Sequence, residues 1–196
     1  VIFMIAFLSV ASLYAKGDLH IYTVDNKAGK ITPLMIQKAF TKSGFTIGIN
    51  SDIHDGLTKH YGKSGFTIYN AISLYHTTIS LRLLKEQADA GIFVPMGVVV
   101  YQKEKDTNLH IAIVSADTQA KILGKESRLF SELEFFIDKV IMGLLPNAKH
   151  TYSKESLKET RTLLTKYSLN VKGKDWEESK EELEESFEEG FAAAGF

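Results

Sequence analysis

The apolar positions change period several times along the chain, and each change marks an element. From His20 to Val24 they alternate, as in a strand with one buried face. Asp25–Gly29 reads as a loop. Thr32 and Pro33 predict a helix start: a hydroxyl at the N-cap, then a proline where no backbone N–H is needed. Leu34, Ile36, Ala39 and Phe40 line that helix, Gly44 stops it, and Phe45–Ile49 follows as a strand. Asp55–Tyr61 predicts a short helix. A β-prone run, Phe66–Tyr69, leads through a turn-prone stretch into a central helix over Thr77–Ala90. Leu74 just before it and Ile79, Leu81, Leu83, Leu84 and Ala88 within it are expected to give it a broad buried surface, with Arg82, Lys85, Glu86 and Asp89 outside. Pro95 opens Met96–Tyr101, where three consecutive valines predict a strand covered on both faces. A charged hairpin loop, Gln102–Asn108, precedes the alternating Leu109, Ile111 and Ile113. The order βαβαβαββ predicts an α+β fold, a mixed or antiparallel sheet with helices on one face, followed by a helical extension.

The extension begins beyond Ala116. Glu126–Leu145 has helical periodicity and stops at Pro146, Lys154–Tyr167 predicts a more polar helix, and Lys172-Gly173-Lys174 a hinge. Trp176–Phe191 is an acidic helix with Leu183, Phe187 and Phe191 on one side. The expected division is 1–15, 16–124 (the α+β domain), 125–172 (helical extension) and 173–196 (acidic helix).

One hexapeptide occurs twice, Lys-Ser-Gly-Phe-Thr-Ile at Lys42–Ile47 and Lys63–Ile68. Both copies read as a helix ending at glycine and turning into a strand through phenylalanine. They lack the length and following helix of a phosphate-binding loop. The spacing of Phe40, Gly44 and Phe45 recurs in Phe191, Gly195 and Phe196. The acidic helix is therefore expected to open a second, similar domain in a longer reading frame.

Composition narrows the function classes. Of 196 residues 44% are hydrophobic and 24% charged, as in a core-forming protein, and the net charge of −1 gives no general attraction to nucleic acid or anionic lipid. The chain has no cysteine, which removes disulfides, thiolate zinc sites and cysteine nucleophiles together. Val1–Ala15 is an unbroken run of apolar and small residues, too short to span a bilayer and suited to the core of a secretory signal cut after Ala15. The expected location is periplasmic or secreted, with no stable membrane span once the signal is removed. The acidic run Asp175–Glu189 contains one basic residue, Lys180, which argues against a nucleic-acid partner. A solvated helix face is its simplest reading, and a partner with a basic surface, or homo-oligomerisation through Leu183, Phe187 and Phe191, is the alternative.

Two local patterns, the strand-to-helix junction Ile68-Tyr69-Asn70-Ala71 and the run Gly91-Ile92-Phe93-Val94-Pro95-Met96-Gly97-Val98-Val99-Val100-Tyr101, stand within this order of elements. With it they make residues 20 to 123 resemble the bacterial family called domain of unknown function 302. In that family a helix leads into a Pro-Cys or Pro-Met pair and a Val/Ile strand ending in Tyr. The resemblance implies a small α+β domain, often dimeric, with no established activity. This sequence has no Cys, and Gly97 stands where a basic residue is common.

No catalytic motif is present: there is no G-x-S-x-G elbow, GxGxxG or HExxH. The expectation is a non-enzymatic binding or interaction domain, needing no cofactor, for a small ligand or a protein partner. Its pocket is expected where Tyr69, Asn70 and His76 meet the Pro95–Met96 turn. The alternative is metal or haem handling by His54, His60 and His76, with Met96 as a soft ligand. His54 and His60 are six apart, a spacing that puts them on different faces of a helix.

Overall fold

The computed structural model describes residues 17–125, 128–156, 163–168, 170–171, 173 and 175–195. It divides into two units, the first reaching Leu163 and the second beginning at Leu164. In the first unit the elements are β1 (Leu19–Asp25), α1 (Pro33–Lys42), β2 (Thr46–Asp52), α2 (Ile53–Tyr61), β3 (Phe66–Tyr75) and α3 (Thr77–Glu86). A short 3₁₀ helix (Ala88–Phe93), β4 (Met96–Lys103), β5 (Asn108–Val114), α4 (Ala116–Leu123), α5 (Arg128–Leu144) and β6 (Lys149–Tyr152) complete it.

The strands form one six-stranded sheet in the order β2-β3-β4-β5-β1-β6, every pairing antiparallel. Alternation sends Tyr22, Ile72, Leu74, Val98, Val100, Leu109, Ile111 and Ile113 to one face, where they are buried. Ile36 and Phe40 of α1, Ile79 of α3, and Leu133, Ile137 and Ile141 of α5 close over them. In α5 the buried Leu129, Leu133, Ile137 and Ile141 recur every four residues, a single helical stripe. The other face holds Ile21, Ala71, Val99, Ala112 and Val114, all half-buried. The α+β class, the antiparallel sheet and the helices on one face thus follow from the hydrophobic pattern.

Local chemistry fixes the first helix as expected. Thr32 Oγ1 accepts from the Met35 N–H (3.3 Å), Pro33 occupies the first turn, and Gly44 takes the left-handed conformation (φ 88°) that turns the chain into β2.

Several local expectations are corrected. The stretch Ile68–Ala71 is no strand-to-helix junction but the middle of β3, because pairing to β2 and β4 on both sides holds the backbone extended through its turn-prone residues. The central helix stops at Glu86, where Gln87 is extended (φ −146°, ψ 92°); Leu81 and Ala88 are exposed, and Leu74 belongs to β3. Val99 is only half-buried because it stands on the face away from the α1, α3 and α5 side chains that close the core. The region read as a helical extension supplies part of the core through α5 and an edge strand, β6. The run Val1–Ala15, expected to be a secretory signal, lies outside the described residues, as do 157–162 of the helix expected at Lys154–Tyr167 and the two lysines of the hinge; residues 154–156 and 163–167 of that stretch are not helical.

In the second unit α6 (Trp176–Ala193) is capped by Asp175, whose carboxylate accepts the Glu177 and Glu178 N–H groups. The Phe187 and Phe191 rings stack at 6.2 Å.

Candidate functional site

Chemistry concentrates along β1, and its two faces carry different groups. Ser153 N–H donates to the Leu19 carbonyl at 2.9 Å, so on the β6 side the odd-numbered residues of β1 make the backbone bonds. His20 opposite Tyr152 and Tyr22 opposite His150 are then the non-bonded pairs, in which side chains approach most closely. Those pairs place ring on ring: His20 to Tyr152 at 4.7 Å, and Tyr22 stacked on His150 at 4.6 Å.

On the helix-covered face, Glu134 and Asp138 of α5 stand above His20 and Tyr22. Four helical residues advance about 6 Å and two strand residues about 7 Å, so carboxylates and rings fall into register. His20 Nε2 lies 2.9 Å from Glu134 Oε2, and the Tyr22 hydroxyl donates to Asp138 at 3.1 Å. His20 Nδ1 lies 2.8 Å from His150 Nε2. Glu134 also accepts the Ala116 N–H at the start of α4. With the carboxylate as acceptor, the neutral His20 holds its proton on Nε2 and accepts at Nδ1 from His150. Burial, reinforced by Asp138, pushes the Tyr22 phenol far up, so it stays a donor. Burial and the facing His20 lower the His150 pKa.

On the half-open face, Thr23 Oγ1 lies 3.0 Å from His110 Nδ1, and His110 Nε2 lies 2.9 Å from Asp106 Oδ2. The His110 hydrogen bond, then the Asn108 N–H at 2.8 Å, hold the Asp106 carboxyl below the usual range. Tyr101 stacks on His110 at 4.9 Å. Hydroxyl, imidazole and carboxylate stand in the order used to activate a nucleophile. Thr23, however, sits mid-strand between β5 and β6, where the ladder engages the backbone N–H groups that would have to hold an oxyanion. The three side chains form a polar strip on the half-open face. Beside it, toward the start of β1, opens a groove of about 520 Å³. Leu19, Ile21, Val114 and Ile122 make it apolar, and Asp18 and Thr118, joined by a 3.0 Å hydrogen bond, give it a polar end.

The residues expected to form a pocket fall into two groups. Tyr69 and Asn70 lie opposite Tyr101 and Val100, and Asn70 donates to Asn50 at 3.1 Å. Met96 is buried opposite Leu74 at the other end of β3, beside Pro95, whose peptide bond with Val94 is cis. His76 lies beyond that end, its ring edge-on to Phe45 at 5.4 Å and stacked on Phe136 at 5.7 Å. At about 3.4 Å per residue the two groups are roughly 20 Å apart along the sheet. Of the alternative metal set, His54 bonds to Ser64 and His60 packs edge-on to Tyr61 at 4.6 Å, both on α2 and away from His76. Among the described residues no three His, Asp or Glu side chains gather to hold an ion. The sequence reading passed over His20, His110 and His150. The alternation of β1 did place His20 and Tyr22 on one face, but nothing local pairs them with His150.

A family model described as "Domain of unknown function DUF302" matches residues 23–142, more than half of the chain. The chain belongs to the DUF302 family. The crystal structure of an uncharacterized conserved DUF302 protein from Bacillus stearothermophilus is similar to it, with a TM-score of 0.50 and 20% identity over 64% of this chain and 95% of that one. At that identity the likeness is one of DUF302 fold. No curated protein matches the chain. Thr23, Asp106, His110, Glu134 and Asp138 lie within the DUF302 match, whereas His20, Tyr22 and the whole of β6 lie outside it.

Proposed function

We propose that this DUF302 domain is an exported, non-enzymatic binding domain and that the groove beside β1 holds a small, largely apolar ligand. The groove carries the proposal. Ligand sites are concave and mostly apolar with a few placed polar groups. Here Leu19, Ile21, Val114 and Ile122 supply the apolar wall, and Asp18 with Thr118 supplies an orienting end. Export is supported by the apolar run Val1–Ala15, which suits a periplasmic or secreted protein.

Titration with anilinonaphthalene sulfonate, whose emission shifts blue in apolar surroundings, tests the site. Ile21→Asp places a charge on the groove wall and is expected to weaken binding about tenfold or more, equivalent to ~1.4 kcal/mol. Circular dichroism should be unchanged, because Ile21 is outside the core. Equal affinity of both proteins for the probe would remove the groove as the site.

A further inference from the structure

We propose that the Glu134–His20–His150 chain, which runs from α5 through the buried His20 to the exposed His150, is a proton-operated clasp that holds β6 on the sheet and so controls the rim of the groove. The inference rests on the groove reading for its consequence, but the clasp itself stands on separate geometry.

β6 is four residues long and, among the described residues, pairs on one side only, with β1. So short an edge strand holds by what its side chains add. On the covered face these are the Tyr22–His150 stack, the His20–Tyr152 contact and the His20–His150 hydrogen bond, and beside them the Thr151 hydroxyl donates to the Ile21 carbonyl at 3.4 Å. Immediately after β6, Ser153, Lys154 and Glu155 form one side of the groove. Ser153 is tied to Leu19 twice, its N–H donating to the Leu19 carbonyl (2.9 Å) and its Oγ accepting the Leu19 N–H (3.2 Å). Any loosening of β6 therefore moves the groove wall.

The two facing nitrogens, His20 Nδ1 and His150 Nε2, share one hydrogen. In the neutral pair it sits on His150. The first added proton enters at His150 Nδ1, on the exposed residue. The Nε2 hydrogen then passes to His20 Nδ1, leaving an imidazolium against Glu134 and the inter-ring bond intact with its direction reversed. A second proton has no such route. It puts N–H against N–H at 2.8 Å with two positive rings, and the bond must open. The groups facing His150 are His20 and Tyr22 from β1, Tyr152 from its own strand, and Glu134 and Asp138 from α5. The two carboxylates receive the first charge and moderate the second. The lowered pKa of His150 agrees in sign: a neutral His150 stabilises the folded state above the ordinary histidine value of about 6.5, and that contribution is lost as pH falls through the depressed folded value.

The test compares the full chain with His150→Gln, whose amide N–H replaces the bond to His20 Nδ1 but takes up no proton. Amide hydrogen exchange of Thr151 and Ser153 is followed from pH 8 to pH 5, corrected for the intrinsic pH dependence. Anilinonaphthalene sulfonate binding is measured alongside. In the wild type, protection of these two amides should fall about fivefold on acidification, the worth of one neutral hydrogen bond. Protection of Ile111 in the core should not change. His150→Gln should hold its protection across the range. Equal acid sensitivity in both proteins, or none in either, overturns the clasp. Because the exchange readout needs no ligand, failure of the probe to bind at any pH overturns the groove and leaves the clasp to be judged on exchange alone.

Discussion

The two faces of β1 bear similar groups and put them to different uses. On one side His20 meets Glu134, on the other His110 meets Asp106, each at 2.9 Å. The His20 side chain is 5% exposed beneath α5, and its second nitrogen reaches another histidine. The His110 side chain is 19% exposed, and its second nitrogen reaches a threonine hydroxyl. Burial decides the difference. Under the helix a proton has one way in and its charge must be matched locally, whereas on the half-open face solvent moderates every charge.

Removing apolar bulk from one face at a time separates the two faces most strongly. Ile111→Ala, opposite Tyr22 in the core, should destabilise the protein by about 2–5 kcal/mol. Ile21→Ala, one residue away from Tyr22 and on the other face, should cost less than about 1.5 kcal/mol. Urea midpoints of the two variants provide the check, and equal losses would mean the half-open face is as tightly packed as the core.

A smaller effect is expected from Tyr22→Phe. It keeps the stack on His150 but deletes the hydrogen bond to Asp138, for a loss of about 1 kcal/mol by the same urea assay. Asp138 is half-buried, and water reaching it limits the penalty. A loss as large as that of Ile111→Ala would show the hydroxyl to be structural rather than an auxiliary bond.

The smallest effect belongs to Asp106. Its depressed pKa means that its contribution to stability is present above the ordinary aspartate value of about 3.9 and lost as pH falls through the folded value. Asp106→Asn should therefore flatten the acid limb of the stability–pH curve below about pH 4 while leaving the His20 side intact. An unchanged acid limb would assign that loss to other carboxylates.

The repeated hexapeptide shows how far local sequence reaches. Both glycines take positive φ, Gly44 at 88° and Gly65 at 75°, and both phenylalanines lead into strands. The surroundings then diverge. Phe45 is buried edge-on to Phe40 at 5.3 Å, while Phe66 is half-buried and packs on Tyr69 at 4.6 Å. The helix before the second copy ends at Gly62, before the repeat begins, so only the turn is encoded twice. In the same way, Tyr69, Asn70, His76, Pro95 and Met96 are close in sequence order but distributed along antiparallel strands. His20 and His150 are 130 positions apart yet share a hydrogen bond.

By itself the sequence determined the elements that local chemistry controls: the Thr32–Pro33 helix start, the glycine turns, the alternation of β1 and β5, and the four-residue stripe of α5. These rest on backbone conformation and on burial period, which act within a few residues. The tertiary structure alone decided that β3 continues through Tyr75, that β6 closes the edge, and which histidine meets which carboxylate. Those outcomes depend on cross-strand register and on where α5 crosses the sheet, relations between residues far apart in the chain that no local pattern records.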